Sequence, residues 1–430
     1  MEEKKPVYLI MVGESKVDAS DNHNKYWNAF PLGDGTFRVE YGRVGAGKQT
    51  HVYSMSQWDK KIKEKLKKGY QDISDNMQEV IEDSKVETAE DTEDEFTLIK
   101  NTSVRSIIKR LFDYANTVIQ SAYRVQANVV TQKMVDKAQA ILDDLNTNYK
   151  NMSVEDFNEK LVKLFVTIPR KMKRVTDHLA SKQDEFAKIL EEEQSILDTM
   201  AGQVYQPKEK QIHISLDGSE YKESMLEKMG ITMEDASDED VEIIKKAMGD
   251  SAHRFVKAWK VSNYETEKRY KKYIAENNIG NVRLLCHGSR NQNWFNILKT
   301  GMLIRPSCAI ATGNLFGLGL YWSNPDKYNG GVAKSIGYTS VRSAYWTGGG
   351  SDTGFIAFFD VAIGDSYDVY SFGSQYYDFN LEKLQQTKPG AWSLWAHGQG
   401  SRNGGSTLIN DEIIVYNTNQ ATIRYLVEIK

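Results

Sequence analysis

From Val104 to Met200 apolar side chains return every three or four residues, a period kept over no comparable length elsewhere in the chain. Val104, Ile107, Ile108, Leu111, Phe112, Ala115, Val118, Ile119 and Ala122 form one series. Met134, Ala138, Ile141, Leu142 and Leu145 form a second. Val154, Phe157, Leu161, Leu164 and Phe165 form a third, closed by Pro169. Val175, Leu179, Phe186, Leu190, Leu197 and Met200 predict a fourth helix from about Met172 to Met200. Such spacing gives each helix one apolar stripe, and stripes of this kind bury against one another. The middle of the chain is therefore predicted to be a helical bundle with short connections.

The flanks follow other rules. Up to about Asp75 the chain shows short β-type runs, Val7–Met11, Lys25–Asn28 and Phe37–Arg43, separated by turns at Gly13, Gly33-Asp34-Gly35 and Gly45-Ala46-Gly47. A lysine-rich helix is predicted from Ser56 to Lys68. Between Glu82 and Glu95 eight acids stand against one lysine, which reads as a linker unable to bury a core. From about Gln203 helical pieces (Glu239–Met248, Glu265–Glu276, Asn291–Thr300) alternate with strand runs at Val282–Cys286, Phe355–Phe359, Ile413–Tyr416 and Ala421–Ile429. The fold class is thus multidomain α+β: a small β-rich domain over 1–80, an acidic linker over 81–96, the bundle over 97–202, and a mixed α/β domain over 203–430.

Composition narrows the function. Two cysteines, Cys286 and Cys308, cannot build a Cys-rich zinc site, and no metal is expected. No apolar run is long enough to span a membrane, and Met1–Pro6 is not a secretory leader. The net charge of −4 hides an uneven distribution: from Gly35 to Tyr70 nine Lys and Arg face three Asp and Glu, a local excess of six. Gly42-Arg43-Val44-Gly45-Ala46-Gly47-Lys48-Gln49 approaches a phosphate-binding P-loop. Gln replaces the Ser or Thr that would hold magnesium, however, and β runs surround the segment, so a Gly-rich β turn is expected.

Four short motifs concentrate the chemistry: His287-Gly288-Ser289-Arg290 directly after a strand run, Gly317-Leu318-Gly319-Leu320-Tyr321, Lys334-Ser335-Ile336-Gly337-Tyr338, and Asp411-Glu412-Ile413-Ile414-Val415-Tyr416. An imidazole and a Gly main chain at a strand end suit sugar hydroxyls and a carboxamide. Two tyrosine faces suit a planar cation. A carboxylate suits a centre that gains positive charge, or a hydroxyl that must lose its proton.

In order and content these motifs resemble the DNA-damage-type poly(ADP-ribose) polymerases. The resemblance implies that NAD is the substrate, with His287, Tyr321 and Glu412 as catalytic residues. It also implies an NAD-binding set of His287, Gly288, Ser289, Arg290, Tyr321, Lys334, Ser335 and Tyr338. His287 is implied to bond the adenosine ribose, and Gly288 the nicotinamide amide. Asp411 is the alternative to Glu412 if the strand register shifts by one. The chain departs from the family in a long Asn324–Ala333 loop, and in Leu303 where an Arg is usual; Arg305 is the candidate substitute. Lys388-Pro389-Gly390 through Gly398-Gln399-Gly400 resembles the acceptor-side loop.

Tyr41-Gly42-Arg43-Val44-Gly45 resembles the core of the WGR domain, with Tyr for Trp. This implies that Tyr41, Arg43 and Lys48 meet DNA breaks, with the lysines from Lys60 to Lys68 as further phosphate contacts. The bundle resembles the family's regulatory helical domain, which implies autoinhibition. The expected activity is DNA-break-stimulated transfer of ADP-ribose to proteins, itself included, with elongation to a polymer. A mono-ADP-ribosyltransferase and a DNA-end-binding scaffold with a silent transferase domain remain the alternatives. The expected compartment is the nucleus in a eukaryotic host and the cytoplasm otherwise.

Overall fold

The computed structural model describes residues 4–14, 22–43, 47–74, 95–123, 130–172, 174–204, 223–304, 315–324, 353–398 and 411–430. By internal contacts the chain divides into two units, one joining residues 1–88 to 116–211 and the other joining 89–115 to 212–430. These cuts differ from those drawn on the sequence at 80, 96 and 202.

In the first unit, strands β1 (Val7–Glu14), β2 (Asn22–Pro31), β3 (Thr36–Arg43), β4 (Gln49–Ser54) and β5 (Gln71–Asp72) form an antiparallel sheet in the order β4-β3-β2-β1-β5. Alternation along β3 buries Phe37 and Val39 and exposes Arg38. These two join Leu9, Trp27 and Ala29 beneath Trp58 of helix α1 (Trp58–Lys67). Val44–Ala46 of the Gly-rich segment, where a turn was expected, lie outside the described residues; on either side of them β3 and β4 pair antiparallel. A Cβ at Gly42 would lie 3.0 Å from the Gly47 carbonyl oxygen, which explains the glycine there.

Helices α2 (Thr102–Ala122), α3 (Gln132–Asn148), α4 (Val154–Thr167) and α5 (Phe186–Gln203) follow. Thr131 and Ser153 cap α3 and α4 by accepting from main-chain N–H groups of the first turn. Helix α3 packs on α4 and α5, and Phe157 stacks on Phe186 at 3.8 Å. The fourth helix begins at Phe186 instead of Met172. Asn158 pairs with both main-chain groups of Ala180, and Glu185 takes the Ser181 N–H, so the chain before Phe186 is held by side chains in non-helical form. Arg170 and Glu193 make a buried ion pair at 3.0 Å, with the guanidinium also donating to the Ala122 carbonyl. Sheet and helices meet inside this unit: α4 lies against β1, and buried Asn24 donates to the Met172 carbonyl at 3.0 Å.

The second unit is built on a sheet of nine strands: β6 (Ile231–Asp235), β7 (Phe255–Asn263), β8 (Val282–Ser289), β9 (Leu320–Ser323), β10 (Gly354–Ala362), β11 (Asp365–Val369), β12 (Ala391–Ala396), β13 (Glu412–Val415) and β14 (Ala421–Ile429). Their order is β11-β12-β13-β9-β8-β10-β14-β7-β6. Helices α6 (Met225–Met229), α7 (Asp238–Met248), α8 (Tyr264–Glu276), α9 (Trp294–Thr300) and α10 (Leu381–Thr387) complete it. Strand β10 is covered on both faces. Phe355, Ala357 and Phe359 pack with Trp294 and Leu298 of α9, whereas Ile356 and Phe358 pack with Ile244 and Met248 of α7. A strand sandwiched in this way reads as an unbroken apolar run, which is how Phe355–Phe359 stood out.

Residues assigned on the sequence to the linker's end and the bundle's start belong to this core. Phe96, Ile99, Val104, Ile107, Ile108 and Leu111 lie in the same cluster as Leu285 and Trp322. Glu95 forms a buried ion pair with Lys228. Asp235 accepts from Lys257, Ser103 and Asn101, and those bonds, Lys257 first, hold its carboxyl down at about 2. Arg110 pairs with Glu428 at 2.9 Å. The helical period of this stretch was legible; the partner of its apolar stripe was not.

Candidate active site

His287, Tyr321 and Glu412 stand on three neighbouring strands, β8, β9 and β13. In register, Ser323 faces Cys286 on one side and Glu412 on the other. Among the described residues Cys286–Ser323 is the one pairing between β8 and β9. Beyond it, at His287, Gly288 and Ser289, the two strands part. On its other side β8 stays zipped to β10, with His287 opposite Ala357 and Gly288 opposite Ile356. The sheet therefore opens beside the His-Gly-Ser turn, and a parted pair of strands leaves main-chain groups for a ligand.

His287 spans the opening. Its Nδ1 lies 2.9 Å from the Tyr321 carbonyl oxygen. A carbonyl only accepts, so Nδ1 carries the proton and Nε2 keeps its lone pair. Burial lowers the pKa of the ring and outweighs the carbonyl's opposite pull, which favours neutral imidazole. The ring packs edge-on to Trp322 at 5.7 Å. Trp322 was missed on the sequence; its position next to Tyr321 was the available signal.

Tyr321 is locked at both ends. Its hydroxyl donates to the Gly317 carbonyl at 2.9 Å and accepts the Phe316 N–H at 2.8 Å. Tyr416 supports the same turn by donating to the Phe316 carbonyl at 2.7 Å. Gly317 has φ +79°, and a Cβ there would come within 2.1 Å of the Phe379 carbonyl oxygen. The Gly-Leu-Gly spelling is what lets this turn close on Phe379 and receive the Tyr321 hydroxyl. Burial first, and Glu412 in addition, push the phenol pKa far up, so it remains a neutral hydrogen-bonding group.

Glu412 opens β13 with Ser323 and Ala396 as its cross-strand neighbours, and by alternation it shares a sheet face with Ile414 and with Tyr321, which Ile414 opposes. The surrounding protein desolvates its carboxyl and raises its pKa to about 7. Near neutrality it titrates, the property wanted of a group that stabilises developing cationic charge or takes a proton. Asp411 is not a substitute for it. That side chain is buried and committed to Asn324, Trp395 and the Gly398 N–H.

Of the remaining candidates, Gly288 is buried on β8, and Ser289 accepts from Asn293 at 3.1 Å. Arg290 is half-buried at the head of the turn before α9. Lys334, Ser335, Tyr338 and Arg305 lie outside the described residues, as does the Asn324–Ala333 loop beyond Asn324. Leu303 is exposed. Tyr41 and Arg43 are in the other unit at the end of β3, with Arg43 exposed, and Lys48 pairs with Glu40 at 3.3 Å. The lysines of α1 are not all solvated: Lys61 lies over the Tyr53 ring and Lys65 over Trp27 and Tyr70, leaving Lys60, Lys63, Lys67 and Lys68 as the exposed set. Among the described residues no group of three His, Cys, Asp or Glu is placed to hold a metal. No described helix is long and apolar enough to cross a membrane.

Comparison with known proteins bears on the same strands. Residues 238–430 match the family model of the poly(ADP-ribose) polymerase catalytic domain. Uncharacterized protein 101L of Invertebrate iridescent virus 6 is 31% identical over 196 residues, 46% of this chain and 76% of that protein. Putative poly [ADP-ribose] polymerase-like 100L of the same virus is 29% identical over 176 residues, 40% of this chain and 84% of that protein. Poly [ADP-ribose] polymerase 2 of Homo sapiens is 30% identical over 189 residues, 39% of this chain but only 30% of the human protein. The three strands just described, from His287 to Glu412, fall inside the matched region, and the chain carries a catalytic domain of the poly(ADP-ribose) polymerase family, that of an NAD-dependent ADP-ribosyltransferase.

Proposed function

We propose that this enzyme transfers ADP-ribose from NAD to protein side chains, its own included, releases nicotinamide, and lengthens the product into poly(ADP-ribose). The observation that carries the reading is Glu412, a desolvated carboxylate poised near neutrality beside a fixed tyrosine and a neutral histidine. As nicotinamide departs, positive charge grows on the ribose, and a carboxylate fixed nearby stabilises that charge without reorganising. Glu412 also orients the acceptor hydroxyl and receives its proton. The Tyr321 ring, pinned through its hydroxyl, offers one stacking face for nicotinamide, and Tyr338 offers the other. Nε2 of His287 accepts from an adenosine-ribose hydroxyl. Lys334 and Ser335 complete the pocket, with Ser335 donating to the carboxamide oxygen.

Broken DNA is the proposed trigger. Tyr41, Arg43 and Lys48 sit on or beside β3 and β4 in a basic part of the chain, and charge of this kind takes phosphate. The helices after Ala115 are proposed to restrain the transferase until DNA is bound. Incubation with NAD, with and without nicked or blunt-ended DNA, followed by a denaturing gel tests all of this. A smear that strengthens with DNA is expected. A discrete shift indicates mono-ADP-ribosylation, and no shift a silent scaffold.

A further inference from the structure

Asp411 stands directly before Glu412 and just outside β13. Its side chain is 8% exposed. Three segments donate to it: Asn324 Nδ2 to Oδ2 at 3.2 Å, the Trp395 indole N–H to Oδ2 at 3.0 Å, and the Gly398 main-chain N–H to Oδ1 at 2.7 Å. Asn324 follows the end of β9, Trp395 lies on β12, and Gly398 is two residues past β12. These are the strands whose Ser323 and Ala396 flank Glu412. One carboxylate thus ties both neighbours of Glu412 to the residue that precedes it.

Trp395 is held in turn. His397 stacks on it at 5.0 Å with ring planes 11° apart, and the Arg283 guanidinium lies 4.9 Å from its centroid. His397 is fixed by Asp368 at 2.7 Å and by Tyr370, stacked at 4.7 Å. The donor to Asp411 therefore belongs to a braced stack and does not swing freely.

We propose that Asp411 is a positioning residue for Glu412, its three hydrogen bonds fixing the main chain at the head of β13 and with it the direction in which the Glu412 carboxylate meets the ribose of NAD. This rests on the reading of Glu412 given above. Asparagine cannot take over the task. Donors approach both oxygens of the aspartate, whereas an amide has one oxygen and would turn an NH2 group against a donor. A shift of about 1 Å in a reacting group costs about a hundredfold in rate.

The test uses the full chain as Asp411→Asn, Trp395→Phe, Glu412→Gln and the double variant Asp411→Asn/Glu412→Gln, with nicotinamide release measured as kcat and KM. Asp411→Asn is expected to lower kcat by about a hundredfold with KM for NAD unchanged. In the Glu412→Gln background it is expected to add nothing, because the group it positions has already lost its charge. Trp395→Phe removes one donor and keeps the carboxylate; it is expected to lower kcat by a smaller factor at unchanged KM and unchanged thermal midpoint. It decides the matter if Asp411→Asn does not fold, and an unaltered kcat would then overturn the proposal. A wild-type kcat in Asp411→Asn overturns it, as does an equal loss in both backgrounds, which would make Asp411 a general support of the fold. A separate result, Glu412→Gln turning over NAD like wild type, would overturn the reading of Glu412 itself.

Discussion

A half-buried, desolvated carboxylate that titrates near 7 affects both stability and rate. Glu412 holds its proton more tightly in the folded chain than in the unfolded one, where the ordinary value is 4.5. Its favourable contribution is complete below that ordinary value and is lost as pH rises through about 7. Above that pH the desolvated charge costs on the order of 3 kcal/mol. Glu412→Gln should therefore raise the urea midpoint relative to wild type at pH 8 and change it little at pH 5; a lower midpoint at pH 8 would show that the carboxylate is paired, not desolvated. The rate moves the other way, because the ionised form is the one that stabilises the ribose cation. In wild type, kcat/KM for NAD cleavage should climb tenfold per pH unit below an apparent pKa near 7 and level off above it. A profile flat from pH 5.5 to 8 would remove Glu412 from the charge-bearing role.

Among the elements, the turn before β9 is the most exacting. Gly317→Ala forces a side chain into a left-handed backbone position and against the Phe379 main chain, and it unseats the hydroxyl that fixes Tyr321. A loss of about 2–5 kcal/mol in chemical denaturation is expected; Leu318→Ala, at an exposed position two residues before β9, should cost under about 1 kcal/mol. How far elements were legible depended on burial. Strand β10 stood out because a strand covered on both faces is written in unbroken apolar residues, whereas β8 is interrupted by Arg283, and β14 by Arg424 and Glu428. Edge strand β4, Gln49–Ser54, is almost wholly exposed and carries no such run, so it was not picked out. Candidate residues His287, Tyr321 and Glu412 were legible from their Gly-rich or strand contexts. The parting of β8 from β9 was not, because pairing register leaves no local trace. Nor was the role of Asp411, whose donors come from Asn324, Trp395 and Gly398 on strands brought together only by the sheet. On the sequence Asp411 was only the alternative to Glu412, and nothing local reveals that three donors meet at its side chain.

Across the whole molecule, the division into units changes how restraint is tested. Removing Phe96–Gly202 as one block would strip Phe96, Ile99, Val104, Ile107, Ile108 and Leu111 from the transferase core, and insoluble protein is the expected result. A chain joining 89–115 directly to 212–430 keeps them. If the helices after Ala115 restrain the site, this chain cleaves NAD faster without DNA than the full protein does, because a population held inactive needs no trigger once freed. Folded but no faster would make those helices a spacer. Arg43→Ala in the full chain should lower DNA stimulation and spare basal cleavage, and stimulation should fall steeply between low and physiological salt as phosphate contacts release counterions. Everything proposed for the molecule depends on one carboxylate at the head of β13. The most direct measurement is polymer formation by the full chain with labelled NAD and nicked DNA, wild type against Glu412→Gln, with NAD binding measured alongside. The account predicts a smear of long products from wild type and, from the variant, near-normal NAD binding with product reduced about a hundredfold or more and no long chains. Polymer of wild-type length and amount from Glu412→Gln would contradict it.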